Sequence, residues 1–295
     1  MTTAERSGDS NIERVGVVGC GLMGSGIAEV CARAGLDVVV REVNQGALDA
    51  GRTRIEGSLG KAVSAGKLPD ADREAALARL HFTTDFADLA DRQLVVEAVI
   101  ENEAEKLEVF RGIDKAVEDD EAVLASNTSS IPIMKLAMAT NRPASVLGLH
   151  FFNPVPVMHL VELVPSLLTA PETSARAEAF ADSVLKKRVI RSKDRAGFIV
   201  NALLIPYLLS AIRMLESGFA TAEDIDSGVV EGLRHPMGPL ALTDLIGLDT
   251  TIAVSQSLYE EFKEPLYAPP PLLGRMVDAG LLGRKAGRGF FTYET

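Results

Sequence analysis

The chain has little of what builds disulfide or metal scaffolds. Its 295 residues include two cysteines, Cys20 and Cys31, and four histidines, His81, His150, His159 and His235. No C-x-x-C or H-x-x-x-H spacing occurs among them, which excludes a disulfide framework and argues against a metal site. A basic excess is also lacking. With a formal net charge of −11, the chain has no overall field to attract nucleic acid, and an anionic ligand has to be met by local donors. Long apolar runs are scarce. The one segment that could imitate a membrane span, 198–215, contains Asn201, Pro206 and Arg213. Its charge-free stretch is shorter than the ~20 residues a span requires, so a buried core helix is expected and no membrane partner. Residues 1–11 are polar, with Glu5 and Asp9, and have neither the basic start nor the apolar stretch of a signal peptide. They read as a frayed leader, and the paucity of cysteine pairs points to the cytoplasm.

What is present is ordinary for a globular protein: 47% hydrophobic and 24% charged residues, Gly 25 and Pro 14. The length argues for two domains. From Arg14 to about Ile190, β-branched runs alternate with helical stretches, which predicts a parallel sheet covered by helices. The expected strands are 14–18, 37–41, 94–100, 122–125, 145–149, 157–164 and 188–191. After Gly197 the strand signal fades, and apolar residues recur at helical spacing over 198–217, 222–231, 239–246 and 250–262. The expectation is an α/β domain over 1–191 followed by an all-α domain over 192–295.

The first strand runs into Gly19-Cys20-Gly21-Leu22-Met23-Gly24, and then Ile27, Val30, Cys31 and Ala34 mark one helix face. Strand, G-x-G-x-x-G and helix in this order form a dinucleotide fingerprint. Gly19 allows the tight turn, Gly21 the approach of a pyrophosphate and Gly24 close helix–strand packing, while the helix start offers unpaired N–H groups. Glu42 closes the next strand 23 positions after Gly19, near the ~20 expected of an acid that bonds the adenosine ribose. It favours NAD over NADP, although Arg41 beside it could serve a 2′-phosphate.

Three further strand ends carry polar residues: Glu101-Asn102, Ser126 to Ser130, and His150 followed by Phe151-Phe152-Asn153-Pro154. Ligands of open α/β sheets bind at such ends. One hydroxyl of the serine run is accounted for as a helix N-cap. His150 is the acid–base candidate, since imidazole titrates nearest neutrality. Glu162 alternates with Met158 and Leu160 on a strand apolar on both faces, where an unpaired carboxylate is costly, so it is expected to partner His150. A carboxylate there fixes the tautomer and supports the imidazolium. His159 reads as structural or peripheral, and His81 and His235 have no comparable partner in sequence.

Taken together, Gly19–Gly24, Val96-Glu97-Ala98 leading to Glu101-Asn102, Ser126–Ser130, His150-Phe151-Phe152-Asn153-Pro154-Val155-Pro156, Gly197-Phe198-Ile199-Val200-Asn201 and Pro236-Met237-Gly238-Pro239 resemble the (3S)-3-hydroxyacyl-CoA dehydrogenases. The likeness is greatest to the stand-alone bacterial 3-hydroxybutyryl-CoA dehydrogenases, and it extends to Gly283–Phe291. It implies a Rossmann-type domain with a helical excursion, NAD as cofactor, and a short-chain acyl-CoA thioester as substrate. It implies His150 as catalytic base, Glu162 as its orienting partner, and Ser129 and Asn201 as hydrogen-bonding groups at the reacting oxygen. Glu101, Lys106, Asn127 and Asn153 match positions lining the nicotinamide side, with Lys106 also near the CoA thioester. Ser58 matches a CoA-contacting position. Relatives often carry a lysine run before Gly66-Lys67, where this chain has Ser64-Ala65, so Lys61 and Lys67 are expected to hold the CoA phosphates with Lys106. A homodimer built through the helical domain is implied as well. Two other readings are open: a dehydrogenase of a free hydroxy acid of the gulonate type, and a non-catalytic dinucleotide-binding protein. A related β-hydroxyacid dehydrogenase family uses a lysine base, against which His150 with Glu162 argues.

Overall fold

The computed structural model describes residues 11–294. Nearly all of the polar leader lies outside the described residues. The chain divides into two compact units between Asp194 and Arg195.

The first unit is built on an eight-stranded sheet: β1 (Arg14–Val18), β2 (Asp37–Arg41), β3 (Leu80–Thr83), β4 (Leu94–Glu97), β5 (Val123–Ser126), β6 (Val146–Phe151), β7 (Leu160–Pro165) and β8 (Arg188–Arg191). Their order across the sheet is β3-β2-β1-β4-β5-β6-β7-β8. The central strands β4, β5 and β6 are buried along their whole length, as the near-continuous apolar runs of a sheet covered on both faces require. Helices α1 (Leu22–Arg33), α2 (Gln45–Ser64), α3 (Asp70–Leu77), α4 (Glu103–Ala116), α5 (Ile133–Ala137) and α6 (Pro171–Ala179) connect them. The α2–α3 pair is the helical excursion between β2 and β3. Asn44 caps α2 by accepting from the Ala47 N–H at 2.9 Å, and Asn102 caps α4 by accepting from Glu105 at 3.1 Å.

The sheet departs from the expected all-parallel arrangement at one place: β7 runs antiparallel to β6. The eight residues between Phe151 and Leu160 are too few for the crossover that a parallel pair needs. Strand β7 begins at Leu160 instead of 157 because the N–H groups of Val157 and Met158 both turn back to the Pro154 carbonyl at 2.9 Å. Strand β4 ends at Glu97, three residues early, because the Val99 N–H bonds the Glu97 carboxylate at 2.7 Å. Strand β3 was not expected, since Leu80-His81-Phe82-Thr83 carries only two apolar residues and lies at the sheet edge.

The second unit is helical: α7 (Val200–Glu216), α8 (Ala222–Leu233), α9 (Pro239–Ile246), α10 (Leu248–Phe262) and α11 (Pro271–Asp278). Ile205, Leu209, Ile212, Leu240, Leu248 and Leu258 form its core, and side chains of this size contribute about 1.5–3 kcal/mol each when fully buried. Two buried aspartates hold the helices in register. Asp226 accepts from the Leu240 and Ala241 N–H groups at the start of α9, and Asp244 accepts from Phe290, Phe291 and the Tyr293 hydroxyl. No helix of the described residues is long and apolar enough to cross a membrane.

Candidate active site

The glycine loop connects the end of β1 to α1, and each of its glycines has a separate steric reason. Gly19 has φ +92°, and a Cβ there would lie 2.7 Å from the Ala98 carbonyl oxygen. At Gly24 a Cβ would lie 1.8 Å from the Gly19 carbonyl oxygen, whereas at Gly21 nothing stands within 4 Å. Two glycines are therefore required by packing, and the third leaves open space beside bare backbone. Gly21 is also the N-cap of α1 and supplies no side-chain cap, so the first-turn N–H groups are left to a phosphate. Leu22 is exposed and Met23 half-buried. The Glu42 carboxylate accepts from the Cys20 N–H at 2.5 Å and the Val43 N–H at 3.0 Å, which sets it at the loop. The Arg41 guanidinium lies 3.9 Å from the centroid of Phe86. Burial lowers its pKa against the opposing pull of Glu42 and Asp85. The residues thus fit a dinucleotide.

His150 and Glu162 are direct cross-strand partners in the β6–β7 ladder. His150 Nδ1 lies 2.7 Å from Glu162 Oε2, and Ser129 Oγ lies 3.0 Å from His150 Nε2. The histidine is 4% exposed and the glutamate 0%. With a carboxylate at Nδ1, that nitrogen carries the proton and Nε2 accepts from the Ser129 hydroxyl, an assignment that follows from the partners. The Phe152 ring meets the imidazole in an edge arrangement, centroids 4.7 Å apart.

The loop that presents Ser129 is held by a second acidic cluster. Glu97, fully buried at the end of β4, accepts from Ser126 Oγ at 2.6 Å and Lys106 Nζ at 2.6 Å. Ser126 Oγ accepts in turn from the Thr128 N–H at 3.1 Å. Glu101 Oε1 accepts from the Thr128 hydroxyl at 2.5 Å, the Ser129 N–H at 3.0 Å and the Ser130 N–H at 3.2 Å. Burial raises the Glu101 pKa, but Lys106 and these hydrogen bonds outweigh it, so the carboxyl is held below the ordinary carboxylate range. Asn127 Oδ1 accepts from the Phe151 N–H at 2.8 Å, joining the loop to the end of β6.

Lys106 corrects the sequence expectation. It is 1% exposed, and its ammonium is enclosed by Glu97, the Val99 carbonyl at 3.3 Å and Glu101 at 3.4 Å. A buried cation flanked by the buried Glu97 and by Glu101 at the surface is not presented to CoA phosphates. Ser58 is half-buried and hydrogen-bonds the buried Glu29 of α1, whose carboxyl is pushed up by burial and partly restored by Ser58 and Arg33. Lys61, Lys67 and Asn153 are exposed, and Asn201 lies in the first turn of α7 in the second unit. His81, read as unpartnered, sits 3.1 Å from Asp37 on the exposed sheet edge. The residues missed in sequence are Glu97, Ser126, Thr128 and Ser130 as a connected set. The signal was available, since Glu97 ends an apolar run where an acid needs a partner. Cys20 and Cys31 are buried free thiols, both pushed up to about 12 mainly by burial, which leaves them unreactive.

A glycine loop with an acid at the next strand end, and a carboxylate-supported histidine at a later one, define a dinucleotide-dependent dehydrogenase. Residues 14–195 match the family described as 3-hydroxyacyl-CoA dehydrogenase, NAD binding domain, and residues 197–293 its C-terminal domain. The chain belongs to the 3-hydroxyacyl-CoA dehydrogenase family, and its dinucleotide is NAD. It is 64% identical over 282 residues to a 3-hydroxybutyryl-CoA dehydrogenase of Mycobacterium tuberculosis, covering 96% of this chain and 99% of the relative. Its fold is similar to the crystal structure of M. tuberculosis FadB2, with a TM-score of 0.95, 63% identity, and 96% and 99% of the two chains covered. It also resembles (S)-3-hydroxybutyryl-CoA dehydrogenase from Ralstonia eutropha, with a TM-score of 0.91, 45% identity, and 97% and 100% covered.

Proposed function

We propose that the chain interconverts (3S)-3-hydroxybutyryl-CoA and acetoacetyl-CoA. The observation that carries the chemistry is a buried histidine held between a carboxylate and a serine hydroxyl. Bound NAD(H) supplies the hydride acceptor or donor. In the oxidative direction His150 Nε2 takes the proton of the C3 hydroxyl as its C–H bond breaks, and Glu162 remains ionised beside the new imidazolium. In the reductive direction the imidazolium returns that proton to the forming alkoxide. Ser129, within hydrogen-bond distance of Nε2, orients the reacting oxygen. Glu42 selects NAD by bonding ribose hydroxyls and repelling a 2′-phosphate.

Exposed Lys61 and Lys67 supply the positive charge for the carrier phosphates that Lys106 does not. The exposed apolar residues Leu203 (73%), Phe219 (79%) and Leu233 (63%) of the helical unit support a homodimer formed through that unit, and the cytoplasm is its compartment. Steady-state rates with acetoacetyl-CoA and with free acetoacetate, each with NADH and NADPH, test the reading. Efficient turnover is expected only for the thioester with NADH. Comparable efficiency with the free acid would overturn the carrier assignment in favour of a free hydroxy acid, and a preference for NADPH would overturn the role of Glu42.

A further inference from the structure

Away from the histidine, a concavity of about 550 Å³ opens within the first unit between the end of α1, helix α3 and the segments preceding β7 and β8. Four basic side chains line it, Arg33, Arg79, Lys186 and Lys187, together with His159 and a single carboxylate, Asp72. In a chain of net charge −11 such a concentration of like charge is costly to assemble. The reading of function above uses none of these groups.

Lys187 is the most informative of them. It is 5% exposed, and its ammonium donates to the carbonyls of Val155 and Met158, each at 2.6 Å. Carbonyl dipoles satisfy hydrogen-bonding capacity but do not cancel a charge. Burial lowers the pKa of this ammonium and the nearby Arg33 lowers it further, while its other charge partner, Cys31, is a thiol that stays neutral. A buried cation is thus held beside another cation. Arg33 and Arg79 each commit one Nη1 to the protein, to Glu29 at 3.3 Å and to the Ala75 carbonyl at 2.9 Å, out of the five donors a guanidinium carries.

We infer that this basin binds a phosphate-bearing small molecule, with the phosphate among Arg33, Arg79 and Lys187 and Lys186 at the rim. A phosphate offers several acceptor oxygens to converging guanidinium and ammonium donors and matches their combined charge better than a carboxylate does. A volume of about 550 Å³ also leaves room for a nucleoside-sized body attached to that phosphate. Two sources share this chemistry: the phosphorylated adenosine end of the CoA carrier, and a separate phosphorylated effector.

The test uses the full-length protein saturated with NAD, so that the dinucleotide site is filled, and titrates it calorimetrically with adenosine 3′,5′-bisphosphate. The comparison is R79Q/K186Q, which alters lining groups without touching the buried Lys187 tether. Circular dichroism and the melting temperature establish that the variant is folded. Binding to the wild type that weakens at least about tenfold in the variant is expected. No binding to the wild type, or equal binding to both, overturns the site. A second arm identifies the source and alone rests on the acyl-CoA reading: KM for acetoacetyl-CoA and for acetoacetyl-pantetheine in both proteins. A rise in KM confined to the CoA thioester assigns the basin to the carrier, and an unchanged KM with lost bisphosphate binding assigns it to an effector. If neither thioester is turned over, the functional reading fails while the calorimetry still decides the basin.

Discussion

Replacing Glu162 with glutamine removes one charge and almost no volume from a site where the carboxylate is 0% and the imidazole 4% exposed. The 2.7 Å contact to Nδ1 then changes from a charge-assisted hydrogen bond, worth about 1.5–3 kcal/mol, to a neutral one of about 0.5–1.5 kcal/mol. The difference of about 1–2 kcal/mol falls on the state in which the ring is an imidazolium, which is the state reached as the substrate proton is transferred. It corresponds to about a 5- to 30-fold fall in the chemical rate. His150→Gln removes the proton acceptor itself and is expected to cost about 10²–10⁴-fold. Because the two residues act as a unit, the double variant should be no slower than His150→Gln within about threefold. The assay is the single-turnover rate of NAD reduction by (3S)-3-hydroxybutyryl-CoA, the direction in which the imidazolium forms, with NADH affinity measured by fluorescence to show that the cofactor site is intact. A Glu162→Gln protein that keeps the wild-type single-turnover rate would refute the argument, and so would additive losses in the double variant.

Substituting Glu42 with alanine should narrow the preference for NADH over NADPH, read as the ratio of kcat/KM values, because the ribose acceptor and the repulsion of a 2′-phosphate leave together; an unchanged ratio removes Glu42 from selection. Lys106→Met should destabilise the protein by about 3–5 kcal/mol in urea denaturation, since it strands the buried Glu97 carboxylate, while Lys61→Gln and Lys67→Gln should raise KM for the CoA thioester with little change in kcat. A wild-type urea midpoint for Lys106→Met would show that Glu97 is stabilised by something else. Glu101 has a depressed folded pKa, so its contribution to stability is complete above the ordinary carboxylate range and is lost as pH falls through the folded value. Glu101→Gln should therefore flatten the acid limb of the melting temperature against pH, and an identical limb in both proteins would exclude that linkage.

Much of the first unit could be read from residue order because apolar runs and glycine spacing are local signals. The strands at 14–18, 37–41 and 188–191 coincide with β1, β2 and β8, and the pairing of His150 with Glu162 followed from the cost of leaving a carboxylate alone in an apolar strand. The direction of β7 was not legible, since alternation carries no sign along a strand. Lys106 was misread for a related reason. It stands nine residues beyond Glu97 across a turn into α4, and only the folded path shows that its ammonium points inward. Ser58 likewise faces Glu29 through the packing of α2 on α1, a contact between residues far apart in sequence.

The cross-strand pairing of His150 with Glu162 also bears on how the sequence can vary. Both residues belong to one ladder, so their juxtaposition is fixed by sheet register. The segment between the two strands is itself in use, since Phe152 packs on the imidazole and the Val155 and Met158 carbonyls hold Lys187. A single-residue deletion at the start of β7 breaks the pair, because side chains alternate across a strand and a one-position slip turns the carboxylate to the far face. The acid–base chemistry thus depends on the register of a strand whose carboxylate stands twelve residues from the histidine.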